Sequence, residues 1–419
     1  MKLFEVSERI VELSGRAVSD SQERFREIDS ISEANTEKVL FAFRLHRVSE
    51  NCFNGTTGYG YNDKGRETLD RIFADVMGTK AALVRVGFVN GTHAITTALF
   101  AALRPGQTLL SATGTPYDTI CSAIGITGSY RGSWADYGIG YSQVGQLSDG
   151  KPDLKAITAA LRADPGVGAV FVQRSRGYLT RRALTVAETG EICDAVHGIN
   201  PDVAVIVDNC YGEFTEINEP GDAGADLIAG SLIKNPGGGL APTGGYIAGR
   251  EDLVEAAAFR QTSPGVGAEC GATLGVNRLF YQGLFMAPHT VAQAMKTAVF
   301  CARLFELLGY ETLPRFDEAR SDIVQMVKLG SPELVERFCR GIQAGAPVDS
   351  FVTPVAWDMP GYDHQVIMAA GAFIQGSSIE LSADGPIREP YNAFLQGGLT
   401  FESGKLGVML AASYLEDKE

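Results

Sequence analysis

Short apolar runs that alternate with helix-spaced segments constrain this chain more than any other feature. Residues 82–86, 108–111, 168–173 and 203–208 each read as a buried strand. Between them lie helical segments at 94–103, around Leu154, Ile157 and Leu161, and at 187–196. Arg104-Pro105-Gly106 closes the first of these. Such alternation predicts an α/β fold with a mostly parallel central sheet covered on both faces. In such sheets ligands gather beyond the carboxyl ends of the strands. After about residue 285 the pattern changes to one long helix at 291–308 and a smaller α/β region. The expected division is a charge-rich helical arm over 1–50, a large domain over 51–285 and a small domain over 286–419.

A length of 419 residues is enough for two packed domains. A net charge of −14 argues against nucleic acid or an anionic membrane as partner. The seven cysteines include no Cys-x-x-Cys pair, which points to a reducing compartment without a disulfide framework. His46, His93, His197, His289 and His364 lack metal-ligand spacing, so no metal site is expected. The N-terminus is charged from its second residue, and no apolar run is long enough to cross a bilayer. The expected location is cytoplasmic.

Two segments carry the chemistry. Residues 203–208 form an apolar run that ends on Asp208, and residues 227–233 form another that leads into Lys234. A lysine beside glycines is ordinarily a solvated turn residue. Here its neighbours are apolar, and a carboxylate ending a buried strand is costly unless paired. Gly237, Gly238 and Gly239 then allow backbone to approach a flat ligand closely. A lysine and a carboxylate delivered from strand ends into one site match the needs of pyridoxal 5'-phosphate. The lysine forms its Schiff base, and the carboxylate keeps the pyridine nitrogen protonated.

Further candidates fit around that pair. Asn90-Gly91-Thr92-His93 joins a strand to a helix, where backbone amides and the helix dipole favour a phosphate. Ser231 could add a hydroxyl, and Tyr117 an aromatic face for the cofactor ring. Gly145 to Lys151 mimics a phosphate loop, but Pro152 stands where a magnesium-binding hydroxyl belongs. No Gly-x-Gly-x-x-Gly follows a strand, so nucleotide binding has little support.

With these residues in place the chain resembles the aluminium-resistance or methionine γ-lyase-like family of pyridoxal phosphate enzymes, a branch of the aspartate aminotransferase fold (fold type I). The resemblance runs through Thr57-Gly58-Tyr59-Gly60-Tyr61, Gly91-Thr92-His93, Gln173-Arg174-Ser175-Arg176-Gly177-Tyr178, Asp208-Asn209-Cys210-Tyr211, the Lys234 segment, Pro347-Val348-Asp349-Ser350-Phe351 and the segment from Leu381 through Arg388 to Tyr391. It implies that Lys234 carries the cofactor and Asp208 pairs with the ring nitrogen. Gly91, Thr92 and Ser231 would hold phosphate, Tyr117 would stack on the ring and assist the leaving group, and Tyr59 or Tyr61 would reach the phosphate of a neighbouring subunit. The substrate carboxylate needs an arginine fork. Arg388 is the first choice, with Arg174 and Arg176 behind it, although Asp384 or Glu389 could claim Arg388 as an ion pair.

The implied activity is β- or γ-elimination of a side-chain group from an L-amino acid in a homodimer or homotetramer with shared sites. Loss of chloride from a chlorinated unsaturated amino acid to give an alkyne, racemisation or transamination, and a non-catalytic stress or binding protein are the competing readings. The chain departs from the family pattern at Ala268, where a lysine is usual, near Ser403, where a histidine is usual, and at Gly87 and Asn90.

Overall fold

The structure, a computed structural model, describes residues 4–128, 130–359 and 364–416, so the first three residues of the charged N-terminus lie outside it. Seven strands form the larger sheet: β1 (Ala81–Arg85), β2 (Thr108–Ser111), β3 (Gly140–Gln143), β4 (Val167–Gln173), β5 (Ala204–Asp208), β6 (Leu227–Ser231) and β7 (Gly245–Gly249). Their spatial order is β1-β7-β6-β5-β4-β2-β3. The ladders from β3 through β6 are parallel, whereas β7 runs antiparallel to both β6 and β1. Every residue of β5, β6 and β7 is buried, as a sheet with helices on both faces requires.

The second sheet is wholly antiparallel. It contains β8 (Glu311–Leu313), β9 (Gln325–Lys328), β10 (Val366–Ala369), β11 (Ser382–Pro386) and β12 (Asn392–Gln396), in the order β10-β11-β12-β9-β8. Helix Pro332–Ala344 packs on it, and helix Phe401–Glu416 packs on that helix.

The N-terminal arm forms two helices, Glu8–Asp20 and Gln22–Leu45. It lies against the long helix Asn277–Leu307, tied by Ser32 Oγ donating to Pro288 O and by the Lys296–Asp29 ion pair. That helix begins well before the expected start at 291 and runs unbroken through residue 285. Pro288 lies within it, and buried residues cover most of its length. The division expected at 285 therefore falls inside a continuous element.

The glycines after Lys234 serve packing, which corrects the expectation that they make room for a flat ligand. A Cβ on Gly238 would stand 2.4 Å from the carbonyl oxygen of Gly283, and one on Gly237 1.8 Å from that of Leu232. The turn is pressed against the long helix and its own strand end, and backbone of this kind cannot carry a side chain.

Candidate active site

The strand-end expectation holds for Asp208, the last residue of β5. It needs adjustment for Lys234. Strand β6 stops at Ser231, and Lys234 leads into the turn Asn235–Gly237 with φ −110° and ψ −144°. Leu232 N still donates to Gly244 O, so antiparallel β7 holds the chain as it leaves the sheet. Nothing in the local pattern of residues 245–249 distinguishes such a strand from another parallel one.

Helix Gly91–Ala102 begins at the end of β6. Asn90 caps it by accepting from His93 N at 2.8 Å, which leaves the first-turn amides of Gly91 and Thr92 pointing out of the helix. A Cβ on Gly91 would lie 3.3 Å from Ser231 Cβ and 3.4 Å from Cys210 Sγ. The helix N-terminus is thus seated against Ser231 and beside the residues that follow Asp208. Ser231 is fully buried, with its Oγ accepting from Ile233 N at 3.3 Å. Thr92 Oγ1 meets Thr119 Oγ1 at 2.8 Å, which binds this helix to helix Asp118–Ile124 and the preceding Tyr117. Tyr117 N donates to Gln173 Oε1 at 2.6 Å, and Gln173 is paired in register with Asp208. The Tyr117 loop is therefore fastened to the strand beside the candidate carboxylate.

Burial pushes the Asp208 carboxyl upward, and the Lys234 ammonium counteracts it. Burial likewise opposes charge on Lys234, yet Cys210, Tyr211 and Asp208 together hold the amine above its usual range. Cys210 and Tyr211 are themselves pushed up by burial and so face the lysine as neutral dipoles. The free chain thus presents an ammonium and a buried carboxyl in mutual contact of field, beside a dipole-bearing helix N-terminus.

An aromatic ring that was not among the expected site residues stands beside Lys234. Lys234 Nζ lies 4.0 Å from the ring centroid of Tyr211, three residues after Asp208. Tyr117 instead makes an edge contact with Tyr178 at 5.5 Å, and Tyr178 packs on Phe394 of β12 at 5.4 Å. The signal for Tyr211 was its proximity to Asp208 in the sequence. Its left-handed backbone, at φ 72°, was not legible there.

The three candidate arginines separate clearly. Arg174 is buried and fully engaged: Nε donates to Leu184 O, Nη1 to Asn209 Oδ1 and Gly212 O, and Nη2 pairs with Glu216. Arg176 is buried against the small sheet, with Nη1 on Leu313 O at 2.7 Å and Nε 3.7 Å from Asp322. Arg174 is thus tied on every side within the fold, whereas Arg176 keeps Nε and Nη2 without a hydrogen-bond partner among the described residues. Arg388 lines a cleft of about 260 Å³ with Tyr178, Asn392 and Phe394, so it borders the ring that touches Tyr117. Asp384 accepts from Gln396 Nε2 at 2.6 Å rather than pairing with Arg388.

Tyr59 and Tyr61 stack on each other at 5.5 Å and are 75% and 55% exposed. They stand on a surface loop, where a second copy of the chain could meet them. Among the departures from the family pattern, Asn90 is the cap described above, Ala268 O accepts from Arg85 Nη2, and Ser403 bonds Thr400 at the start of the last helix.

Comparison with known proteins places the chain in a family. The methionine gamma-lyase family profile matches residues 10–416. The uncharacterized protein YnbB of Bacillus subtilis is 49% identical over 395 residues, covering 94% of this chain and 93% of that protein. The crystal structure of a carbon-sulfur lyase involved in aluminum resistance from Clostridium novyi NT is 52% identical. It superposes with a TM-score of 0.94, covering 97% of this chain and 96% of that one. The pyridoxal-5'-phosphate dependent protein YhfS from Escherichia coli shares the fold at 17% identity, with a TM-score of 0.61 over 91% of this chain and 95% of that one. The chain belongs to the methionine gamma-lyase family, and with it to the pyridoxal phosphate-dependent lyases of fold type I.

Proposed function

We propose that the chain is a carbon–sulfur lyase that eliminates a sulfur-bearing side-chain group from an L-amino acid, with Lys234 as its reactive lysine. The observation that carries this reading is the meeting of Lys234, Asp208 and the Gly91–Thr92 amides at the ends of β5 and β6. The residues present fit the cofactor. Gly91 lacks a side chain where one would crowd Ser231 and Cys210, and that leaves the helix amides and the Thr92 hydroxyl for a phosphate. When bound, pyridoxal phosphate supplies an electron sink for charge developing at the substrate α-carbon.

The chain's own groups do the remaining work. Asp208, buried and acceptor-rich, holds a proton at the pyridine nitrogen. The Lys234 amine takes the α-proton as general base and gives a proton back later in the cycle. Arg388, beside Tyr178 on the rim, receives the substrate carboxylate. Tyr117 bears on the ring and on the leaving group. A second copy brings its Tyr59 or Tyr61 to the phosphate and completes the site, in a homodimer or homotetramer. The relative's name, carbon-sulfur lyase, supports sulfur as the leaving atom. The seven cysteines are all free thiols, in keeping with a cytoplasmic setting. Among the described residues no helix is long and apolar enough to cross a membrane.

The test is a visible spectrum of the purified protein titrated with methionine, cystathionine, homocysteine, cysteine and chlorinated allylic amino acids, with Lys234→Ala as control. A cofactor band that shifts with one sulfur amino acid, followed by thiol and oxo-acid release, supports the reading. A response to the chlorinated substrates alone, or a wild-type protein that stays colourless after reconstitution, refutes it.

A further inference from the structure

We propose that Tyr211 is a positioning residue that holds the Lys234 amine whenever that amine is not bonded to the cofactor, its ring face taking the ammonium while Ser378 fixes the ring. The inference rests on Lys234 being the reactive lysine and adds a residue to that site. Four features converge on it. The Lys234 Nζ stands 4.0 Å from the Tyr211 centroid, well inside the range of cation–π attraction. Ser378 Oγ donates to the Tyr211 hydroxyl at 3.2 Å, so the ring is anchored from the segment that leads into β11. Tyr211 also packs against Val324, Met326 and Phe394 of the small sheet. Its backbone sits at φ 72°, a conformation that a bulky side chain adopts only where the surroundings impose it.

The consequence is a defined resting place for the general base. A lysine released by the incoming amino acid has four rotatable bonds, and burial favours its neutral form. The Tyr211 face limits the amine's freedom and stabilises the ammonium that forms once the amine has taken the α-proton. The ionisable groups around Nζ are Asp208, Cys210, Tyr211 and Glu213 from the segment at and after β5, and Asp384 from β11. Burial pushes Asp208, Glu213 and Asp384 alike towards neutrality, which leaves the Tyr211 ring face as the partner of the ammonium that needs no charge of its own. Because the ring is held by Ser378, the position of the amine is also linked to the small sheet.

The test uses the full chain stripped of cofactor. Competitive acetylation with acetic anhydride at a series of pH values, read by peptide mass spectrometry, gives the pH midpoint for Lys234. Tyr211→Leu and Tyr211→Gly are expected to lower that midpoint by about one unit, the size of a partly buried cation–π contact. Glycine suits the left-handed backbone, so that variant loses the ring without adding strain. Tyr211→Phe retains the face and is expected to stay within a few tenths of a unit of wild type. An unchanged midpoint in both ring-less variants overturns the proposal, as does an equal drop in Tyr211→Phe. Borohydride reduction with pyridoxal phosphate, followed by peptide mapping, separately identifies the reactive lysine. A label on any residue other than Lys234 would refute the proposed function itself.

Discussion

Glu213 offers the sharpest test of the buried network beneath this site. Its side chain is fully buried, and Tyr246 Oη donates to Oε1 at 2.9 Å. Oε2 has no hydrogen-bond partner among the described residues. Burial, reinforced by the charge of Glu219, pushes the carboxyl from 4.5 up to about 8. The folded chain therefore keeps this proton at neutral pH, whereas the unfolded chain has lost it. Stability from Glu213 is fully present below about pH 4.5 and is lost as pH rises towards 8, at up to about 1.4 kcal/mol per pH unit. Over the whole interval the ceiling is about 5 kcal/mol, a large share of the stability of an ordinary protein. Glu213→Gln keeps the shape and the acceptor for Tyr246 but cannot ionise. Unfolding of both proteins in urea at pH 5, 6.5, 8 and 9 isolates the effect, because the other ionisable groups are common to both. The two curves are expected to lie close together at pH 5 and to diverge as pH rises, with the variant the more stable at pH 8. Parallel curves across the range would refute the assignment of a protonated Glu213.

Other expectations concern the site itself. Asp208→Asn removes the carboxylate opposite Lys234 and is expected to lower kcat at least about 100-fold in steady-state assays with cofactor saturating. Arg388→Ala is expected to reduce kcat/KM by about 10- to 150-fold, chiefly through KM, as suits a lost charge-assisted contact to substrate. An unchanged KM would place the carboxylate elsewhere. Arg174→Met is expected to cost about 3 kcal/mol of stability, since it strands the partners of a buried hub, while KM in the folded fraction stays near wild type. Thermal melts and kinetics on the same preparation decide between that tie and a substrate-binding role.

Particular residues show how far the sequence could be read. Asp208 was placed correctly because an apolar run of strand length ended on it and β5 ends there. The helix expected from 94 starts at Gly91, because the Asn90 side chain caps it by accepting from His93 N. The arginines were not separable in advance. Arg174, Arg176 and Arg388 are the same residue type, and only the partners Glu216, Asp322 and Tyr178, each distant in the chain, tell them apart. The glycines after Lys234 invited a local explanation, whereas their reason lies on the facing helix at Gly283.

The sequence by itself determined the parallel α/β core and the pairing of a carboxylate with a lysine at its edge. Strand and helix periodicity, caps and strand-terminal charges are local properties, governed by neighbouring residues. Tertiary structure alone decided the antiparallel β7, the continuous helix through 285, and the choice of Tyr211 as the ring beside Lys234. Each of these depends on contacts between segments far apart in the chain. Their free energies come from packing and burial that no local window contains.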